Sequence, residues 1–204
     1  MRTMRQSAHQ PTARSTPPTV TRGVTLVELM VTVAVLAVVL MISAPSMTAF
    51  VERHAVETAA EDFASDIRLA RTEAMKRGMP VSICIRSEVI NAGTSTLACA
   101  AAQGTKGFAN GWLVFADTNG DGAYSAAAGD TLIRDHQAVS SVITSMLRNT
   151  ATVFYTLQNT GIMSGAAGNI TVLPASGTEQ QRVGCVIISF LGRARVETGK
   201  SSCS

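Results

Sequence analysis

Apolar and polar positions divide the chain into three regions. Residues 1–23 show no apolar periodicity and are rich in Ser, Thr, Pro and Arg, as expected of a disordered leader. From Leu29 to Val51 there are 23 residues without a charge. A helix that rises about 1.5 Å per residue can cross a hydrocarbon core of roughly 30 Å over that length. The pattern therefore predicts a transmembrane helix segment over residues 24–51.

The helical pattern continues beyond the apolar run and becomes amphipathic. Apolar residues recur at spacings of three and four, which places them on one face of a helix: Val56, Ala60, Phe63, Ile67, Ala70 and Ala74. Gly78 and Pro80 then supply a stop signal. We expect one helix from about residue 25 to 77, with its second half, 52–77, lying on a globular domain that extends to residue 204.

After Pro80 the pattern changes to short apolar runs separated by Gly, Asn and Ser, which predicts strands. The predicted strands are Val81–Arg86, Trp112–Ala116, Thr131–Asp135, Val139–Ser145, Thr152–Leu157, Asn169–Leu173, Val183–Phe190 and Arg195–Glu197. Residues 87–110 are small and polar and are predicted to form a long loop. A helix followed by antiparallel strands gives an α+β domain with the amphipathic helix packed on one face of a sheet.

One carboxylate, Glu28, lies at the start of the apolar run. An ionisable group at the edge of lipid costs at least about 2.5–3.5 kcal/mol on insertion scales, so Glu28 is a candidate functional residue. The alternative is an ordinary residue at the membrane edge. Gly23, followed by Val24-Thr25-Leu26-Val27-Glu28 and then the apolar run, resembles the class III signal of type IV pilins and type II secretion pseudopilins.

This resemblance implies a maturation pathway and a role for Glu28. A prepilin peptidase would cut between Gly23 and Val24 and methylate the new amine of Val24. In the assembled filament the Glu28 carboxylate would meet the N-terminal amine of a neighbouring subunit, so that two groups costly in lipid neutralise each other. Pro45 matches the position where the long helix of the family bends, since proline removes a helical hydrogen bond.

Three further segments narrow the resemblance to the GspH/FimT group of minor pilins and pseudopilins: Arg68–Arg77, Gly111–Asp117 and Gly192–Arg195. The resemblance implies a pilin-like fold without cofactor, enzymatic activity or small-molecule substrate. It implies a role in pilus biogenesis or in protein secretion. The expected partners are other pilins or pseudopilins, the prepilin peptidase and the inner-membrane assembly platform. The expected location is the bacterial inner membrane, single-pass, until assembly into a pilus or pseudopilus.

Charge sets the topology and limits the binding of polyanions. The leader contains four arginines and no acid, which by the positive-inside rule keeps the N-terminus cytoplasmic and the C-terminal domain periplasmic. Without those four, 13 basic residues stand against 14 acidic ones, so the pI near 8.9 is a property of the leader. Any binding of DNA must therefore depend on a local patch.

One such patch lies near the C-terminus. It contains Arg182, Arg193, Arg195 and Lys200, with Glu197 as the opposing acid. In some FimT-like minor pilins a Gly-Arg-x-Arg segment is associated with DNA uptake, which makes DNA binding for natural transformation the alternative function. The competing interpretation is a solvated edge strand whose arginines discourage aggregation.

The four cysteines are Cys84, Cys99, Cys185 and Cys203, all on the side predicted to be periplasmic, where disulfides form. Three pairings can be drawn. We favour Cys84 with Cys99 and Cys185 with Cys203, because each closes a short loop and the second ties down the tail. A zinc site is the rival, but the sequence has no Cys-x-x-Cys pair and no clustered His.

An acidic loop is the remaining candidate for a ligand site. Asp117, Asn119 and Asp121 match the first half of a calcium loop, but the position of the expected bidentate Glu is occupied by Ala128. The alternative is a hairpin connection whose side chains bond their own backbone. His136 stands alone beside Asp135, and no nucleophile or phosphate-loop motif is present, so the sequence does not favour an enzyme.

Overall fold

The computed structural model describes residues 23–91, 94–165, 167–175, 183–200 and 203; side chains 42–46, 89–91, 94, 95 and 200 lie outside that description. Of the predicted leader, only Gly23 is described. Contacts divide the chain into two compact units, which meet in sequence between Ala44 and Pro45.

One helix, α1, runs from Leu26 to Arg77, which confirms the helix expected between about residues 25 and 77. Within the second unit its predicted apolar stripe is buried, because all six positions are at most 2% exposed. The helix ends as the sequence indicates. Gly78 adopts φ +68°, its N–H bonds the carbonyl of Ala74 at 3.0 Å, and Pro80 follows.

Ten strands follow the helix in the described residues. They are β1 (Val81–Asn91), β2 (Thr94–Cys99), β3 (Trp112–Ala116), β4 (Thr131–His136), β5 (Ile143–Arg148), β6 (Phe154–Leu157), β7 (Met163–Ser164), β8 (Gly168–Pro174), β9 (Val183–Ile188) and β10 (Ala194–Lys200). The α+β class is therefore confirmed.

The strands form two antiparallel sheets where the sequence predicted one. The first has the order β4-β3-β1-β6-β7, with β2 paired to the outer half of β1, and the second has the order β10-β9-β8-β5. In the first sheet Val81 lies opposite both Ala116 and Leu157, so β1 is its centre. Among the described strands, β10 and β5 are the outer strands of the second sheet, and β5 makes one further parallel bridge, from Met146 to Gly107.

The main core lies where α1 packs on both sheets. Phe63 of the helix is fully buried and makes edge-on ring contacts with Phe108 at 4.9 Å and with Trp112 at 5.0 Å. The same cluster contains Val172 of β8 and Val186 of β9. The buried stripe is rich in alanine, and these small side chains allow strands of both sheets to pack closely against the helix.

The structure corrects two of the strand predictions. The predicted loop 87–110 is wrong in its first part, because β1 continues to Asn91 and pairs with β2 from Arg86 opposite Cys99 to Asn91 opposite Thr94. The strand predicted over 139–145 lies instead at Ile143–Arg148. Val89 and Ile90 favour a strand, but they lie among small polar residues that are common in loops, so it is the pairing with β2 that identifies the end of β1. The position of β5 is set by its pairing with β8.

Two disulfides are present, Cys84 to Cys99 and Cys185 to Cys203, each with Cα atoms 5.5 Å apart. These are the two pairings favoured by the sequence. The first joins β1 to β2 beneath a small apolar cluster formed by Cys84, Leu113 and Phe115. The second places Cys203 beside β8 and β9, with its Sγ 3.9 Å from the carbonyl oxygens of Ile170 and Gly184.

Candidate processing and assembly site

The predicted processing site lies in an exposed segment ahead of the helix. Gly23, Val24 and Thr25 are non-helical and exposed, and nothing lies within 4 Å of the position where a Cβ on Gly23 would stand. A peptidase needs an accessible extended chain, so the local structure around the Gly23–Val24 bond suits cleavage.

Thr25 is the N-cap of α1, and Glu28 occupies the third helical position. The Thr25 Oγ1 accepts a hydrogen bond from the Glu28 N–H at 3.2 Å, and the Leu29 N–H donates to the Thr25 carbonyl at 3.1 Å. Thr-x-x-Glu at these positions is the capping-box pattern, in which a carboxylate near the helix N-terminus also stabilises the helix dipole. Glu28 therefore has a local reason to be acidic, in addition to any role between subunits.

The first unit exposes an apolar helix surface. Its described large apolar residues from Leu26 to Met41 are between 52% and 77% exposed. The hydroxyl of Thr32 donates to the Leu29 carbonyl at 2.9 Å, so this polar group is satisfied within the helix. Across the part of the chain that the structure describes, no helix has both the length and the apolarity that a membrane crossing requires.

Pro45 lies inside α1 at the first residue of the second unit. Proline has no N–H, so the helix lacks one hydrogen bond there. The bend predicted at this residue stays a prediction.

The C-terminal arginines are only partly described. Arg193 and Arg195 are exposed, and Arg195 forms an ion pair with Glu197 at 3.2 Å. Arg193 immediately precedes β10, an outer strand of the second sheet, and Arg195 is the second residue of that strand. Arg182 lies outside the described residues, and so does the side chain of Lys200. Over residues 193–199 the charge is two arginines against one glutamate.

The acidic loop connects β3 to β4, and its side chains bond to the loop itself. Asp117 is fully buried and accepts hydrogen bonds from Ser82 Oγ at 2.7 Å and from the N–H groups of Gly120 and Gly122 at 2.7 and 2.9 Å. Asn119 donates to Asp121, which accepts the N–H of Ala123. Among the described residues, no three acidic, His or Cys side chains are close enough to hold a metal ion. The geometry is that of a self-bonded hairpin connection.

An ion pair between a buried acid of α1 and a half-exposed arginine of β4 is a feature that the sequence pattern did not predict. Asp66 of α1 is fully buried; it accepts a hydrogen bond from Trp112 Nε1 at 2.8 Å and forms an ion pair with Arg134 of β4. His136 stacks on Trp112 with ring centroids 3.8 Å apart. The sequence signal was an acid, Asp66, beside the apolar stripe, but nothing local identified its partners, which lie 46 and 68 residues away.

A helix with an exposed apolar first part and an amphipathic second part packed on antiparallel sheets is the pilin-like fold. The type IV minor pilin FimU of Pseudomonas aeruginosa shares it, with a TM-score of 0.52 at 18% identity, over 76% of this chain and 95% of that one. The minor pseudopilin EpsH of the Vibrio cholerae type 2 secretion system aligns at a TM-score of 0.46 and 10% identity, over 70% of this chain and 96% of that one.

The sequence itself gives the family. Residues 59–192, more than half of the chain, match the family described as type II transport protein GspH, and residues 20–44 match the prokaryotic N-terminal methylation motif. The chain therefore belongs to the GspH family of minor pilins and pseudopilins. A search of curated protein sequences found no match. Members of this family are structural subunits that assemble with other pilins or pseudopilins, so the chain is not an enzyme.

Proposed function

We propose that this chain is a filament subunit cut between Gly23 and Val24, held in the bacterial inner membrane by residues 24–51 with its domain in the periplasm, and then drawn into a pseudopilus or pilus. The single observation that carries the proposal is the exposed apolar surface of the first unit, at least half exposed at every described large apolar residue from Leu26 to Met41. So large a surface requires a cover, which lipid supplies before assembly and neighbouring helices supply afterwards.

Glu28 is the proposed determinant of register. Once Gly23 has been removed, the Val24 amine lies one residue before the N-cap, where its positive charge faces the positive end of the helix dipole. A carboxylate from a neighbouring subunit relieves that repulsion, and the same contact neutralises Glu28 in an apolar environment. The prepilin peptidase and the inner-membrane assembly platform are the machinery that we expect to act on this segment.

Three variants separate this pairing from the capping role. Glu28→Gln keeps a residue that suits the capping box but removes the charge, and Glu28→Ala removes both. Thr25→Ala is the matched control, because it removes the cap and leaves the charge in place. We expect all three to be cleaved, and we expect only the two Glu28 variants to be lost from purified filaments.

Filament content is measured by immunoblot of sheared fractions, and cleavage by mass spectrometry of the membrane-extracted protein. Incorporation of Glu28→Gln into filaments at the wild-type level would exclude the proposed pairing between the Glu28 carboxylate and the Val24 amine of a neighbouring subunit. An intact leader, or a terminus other than methylated Val24, would refute the processing step.

We propose type II secretion as the system, following the description of the matched family, with a type IV pilus as the alternative. Disrupting the gene and scoring protein secretion, twitching and transformation in parallel decides between the systems. We expect secretion to fail; loss of twitching with normal secretion would assign the subunit to a type IV pilus instead.

We keep DNA uptake as a second candidate because Arg193 and Arg195 are both exposed. Two phosphate contacts predict weak binding whose logarithm falls with the logarithm of salt concentration at a slope of about −2. A gel shift at low salt compares the wild type with the double variant Arg193→Gln/Arg195→Gln, and equal retardation of DNA by both would exclude these arginines.

A further inference from the structure

Three large apolar side chains are exposed at the end of the domain where α1 stops. Phe190 and Leu191 lie in the turn between β9 and β10, and Met75 lies in the last turn of α1. They are 54%, 50% and 48% exposed, respectively. The other exposed large apolar residues in the described part of the second unit lie at its start, and they are Met47, Phe50 and Val51. We call Met75, Phe190 and Leu191 the distal patch.

The turn that carries Phe190 and Leu191 is held by hydrogen bonds. The Gly192 N–H donates to the Ser189 carbonyl at 2.9 Å, which places Phe190 and Leu191 at the two central positions of a four-residue turn. Gly, Pro, Asn, Asp and Ser predominate in such turns. The Phe190 carbonyl accepts the N–H of Met163 at 3.0 Å, which ties the turn to β7. The exposure of the two apolar side chains is therefore a property of an ordered turn.

Arg71 and the turn between β6 and β7 connect the two parts of the distal patch. Arg71 Nε and Met75 Sδ each lie 3.0 Å from the position that a Cβ on Gly161 would take. The corresponding position on Gly192 lies 2.5 Å from the Gly161 carbonyl oxygen and 3.3 Å from Arg71 Cδ. Gly192 directly follows Leu191, so the end of the helix and the β9–β10 turn form one continuous surface.

Two positive charges without an acid partner border the distal patch. Among the described residues, the guanidinium groups of Arg71 and Arg193 have neither a hydrogen-bond nor an ion-pair partner. Arg193 is exposed and Arg71 is partly exposed. Other arginines near this end of the domain are paired with acids, namely Arg68 with Glu61, Arg77 with Glu73 and Arg195 with Glu197. Exposed apolar side chains bordered by unpaired cations are complementary to an apolar segment that carries carboxylates.

We propose that the distal patch docks an acidic, apolar segment on the domain of a neighbouring filament subunit. The inference rests on the proposed function, because assembly is what brings a second subunit to this face. A membrane that ends near Val51 does not reach the patch, since 24 residues of helix, about 36 Å, separate Val51 from Met75. DNA phosphates would engage the arginines but leave Leu191 and Met75 uncovered, so a protein partner fits the patch better.

The test places the photo-crosslinking residue p-benzoylphenylalanine at Leu191 of the full chain, in cells that assemble the filament. A second full-length variant carries the same residue at Val33, which is 57% exposed in the apolar segment and reports on the neighbours that the proposed function predicts. Mass spectrometry identifies the crosslinked segment. Arg71→Gln/Arg193→Gln removes both unpaired charges. Lys106→Gln is the matched control, since Lys106 is exposed and its carbonyl bonds β5.

We expect position 191 to crosslink to a segment of another subunit in which Asp or Glu lies beside apolar residues. The double variant should lower the crosslinking yield about tenfold, and Lys106→Gln should leave it unchanged. Arg193→Gln alone, a change at an exposed side chain, should lower the yield about threefold, so the test does not depend on the folding of the Arg71 variant. Arg193→Glu combined with an acid-to-Arg change in the captured segment should restore the yield, which identifies a direct contact between the charges.

Three results would overturn the proposal: a crosslink to DNA that a nuclease removes, a crosslink to a segment without acids, or equal yields for the wild type and the double variant. An absent crosslink at position 191, in cells where position 33 still crosslinks to neighbouring subunits, would also overturn it and leave the proposed function intact. Absence of both crosslinks would contradict the assembly on which the docking depends.

Discussion

Asp66 provides the most direct test of how the domain is held together. Its carboxylate is fully buried under α1 and has two partners with different surroundings, Trp112 and Arg134. Trp112 is completely buried, whereas the side chain of Arg134 is 49% exposed. The two partners therefore respond differently when the carboxylate is removed.

The expected magnitudes follow from what each variant leaves behind. In Asp66→Ala the Trp112 N–H loses its acceptor in a dry site, which costs about 1–3 kcal/mol, while Arg134 regains water. In Asp66→Asn an amide oxygen still accepts that bond, so the expected cost is about 1 kcal/mol or less. Arg134→Ala leaves a buried carboxylate without its cation, and we expect about 3 kcal/mol, near the low end for broken buried pairs because the guanidinium is half exposed.

Urea unfolding measures these differences, and the fluorescence of Trp112, the only tryptophan, reports on the site itself. Glu57→Gln is the control, since Glu57 is an exposed acid on the same helix, and it should change stability by less than about 0.5 kcal/mol. For a domain of this size a loss of about 3 kcal/mol lowers the melting temperature by roughly 6–12 °C.

The three variants should rank by their loss of unfolding free energy, with Arg134→Ala losing most and Asp66→Asn least. The surface cation should matter more than the buried acid, because an uncompensated buried charge is worse than an absent one. Arg134→Ala within about 0.5 kcal/mol of the wild type would refute this reasoning. So would equal losses for Asp66→Ala and Asp66→Asn.

Three further outcomes are expected from the same structure. Gly107→Ala should lower the free energy of unfolding by at least about 2 kcal/mol more than Gly104→Ala, as measured by thermal unfolding. Both glycines have φ near +58°, but only a Cβ at position 107 would collide with a backbone carbonyl oxygen, at 2.3 Å. Equal losses for the two variants would rule out the collision. Replacing Cys84 and Cys99 together by Ser should lower the free energy of unfolding by about 3 kcal/mol, as expected for a loop of 15 residues. Dithiothreitol should lower the melting temperature of the wild type for the same reason, and an unchanged melting curve would contradict this prediction. Burial raises the pKa of Tyr155 above its unfolded value near 10, so the stability that this shift contributes is complete below pH 10 and declines as the pH rises further. Tyr155→Phe should lack that part of the alkaline loss of stability. Parallel plots of unfolding free energy against pH for the wild type and the variant would contradict the shift.

The local pattern of apolar residues was sufficient to predict the long helix. The stripe from Val56 to Ala74 was readable because a helix brings residues three and four apart onto one face, and all six predicted positions are buried. The hairpin of β1 and β2 was missed because small polar residues are equally suited to loops, and their pairing is fixed by the Cys84–Cys99 disulfide and the neighbouring strands.

The sequence by itself determined the N-terminal region of this protein and its family: the uncharged run, the acid at Glu28 and the methylation motif around Gly23, at which we propose cleavage. Those features depend on residues adjacent in the chain or one helical turn apart, so their order alone defines them. Only the tertiary structure decided that Asp66 is buried against Trp112 and Arg134 and that the Arg148 guanidinium stacks on the Tyr155 ring. Such contacts join different elements, and burial, which sets their chemistry, exists only after the sheets have closed on the helix.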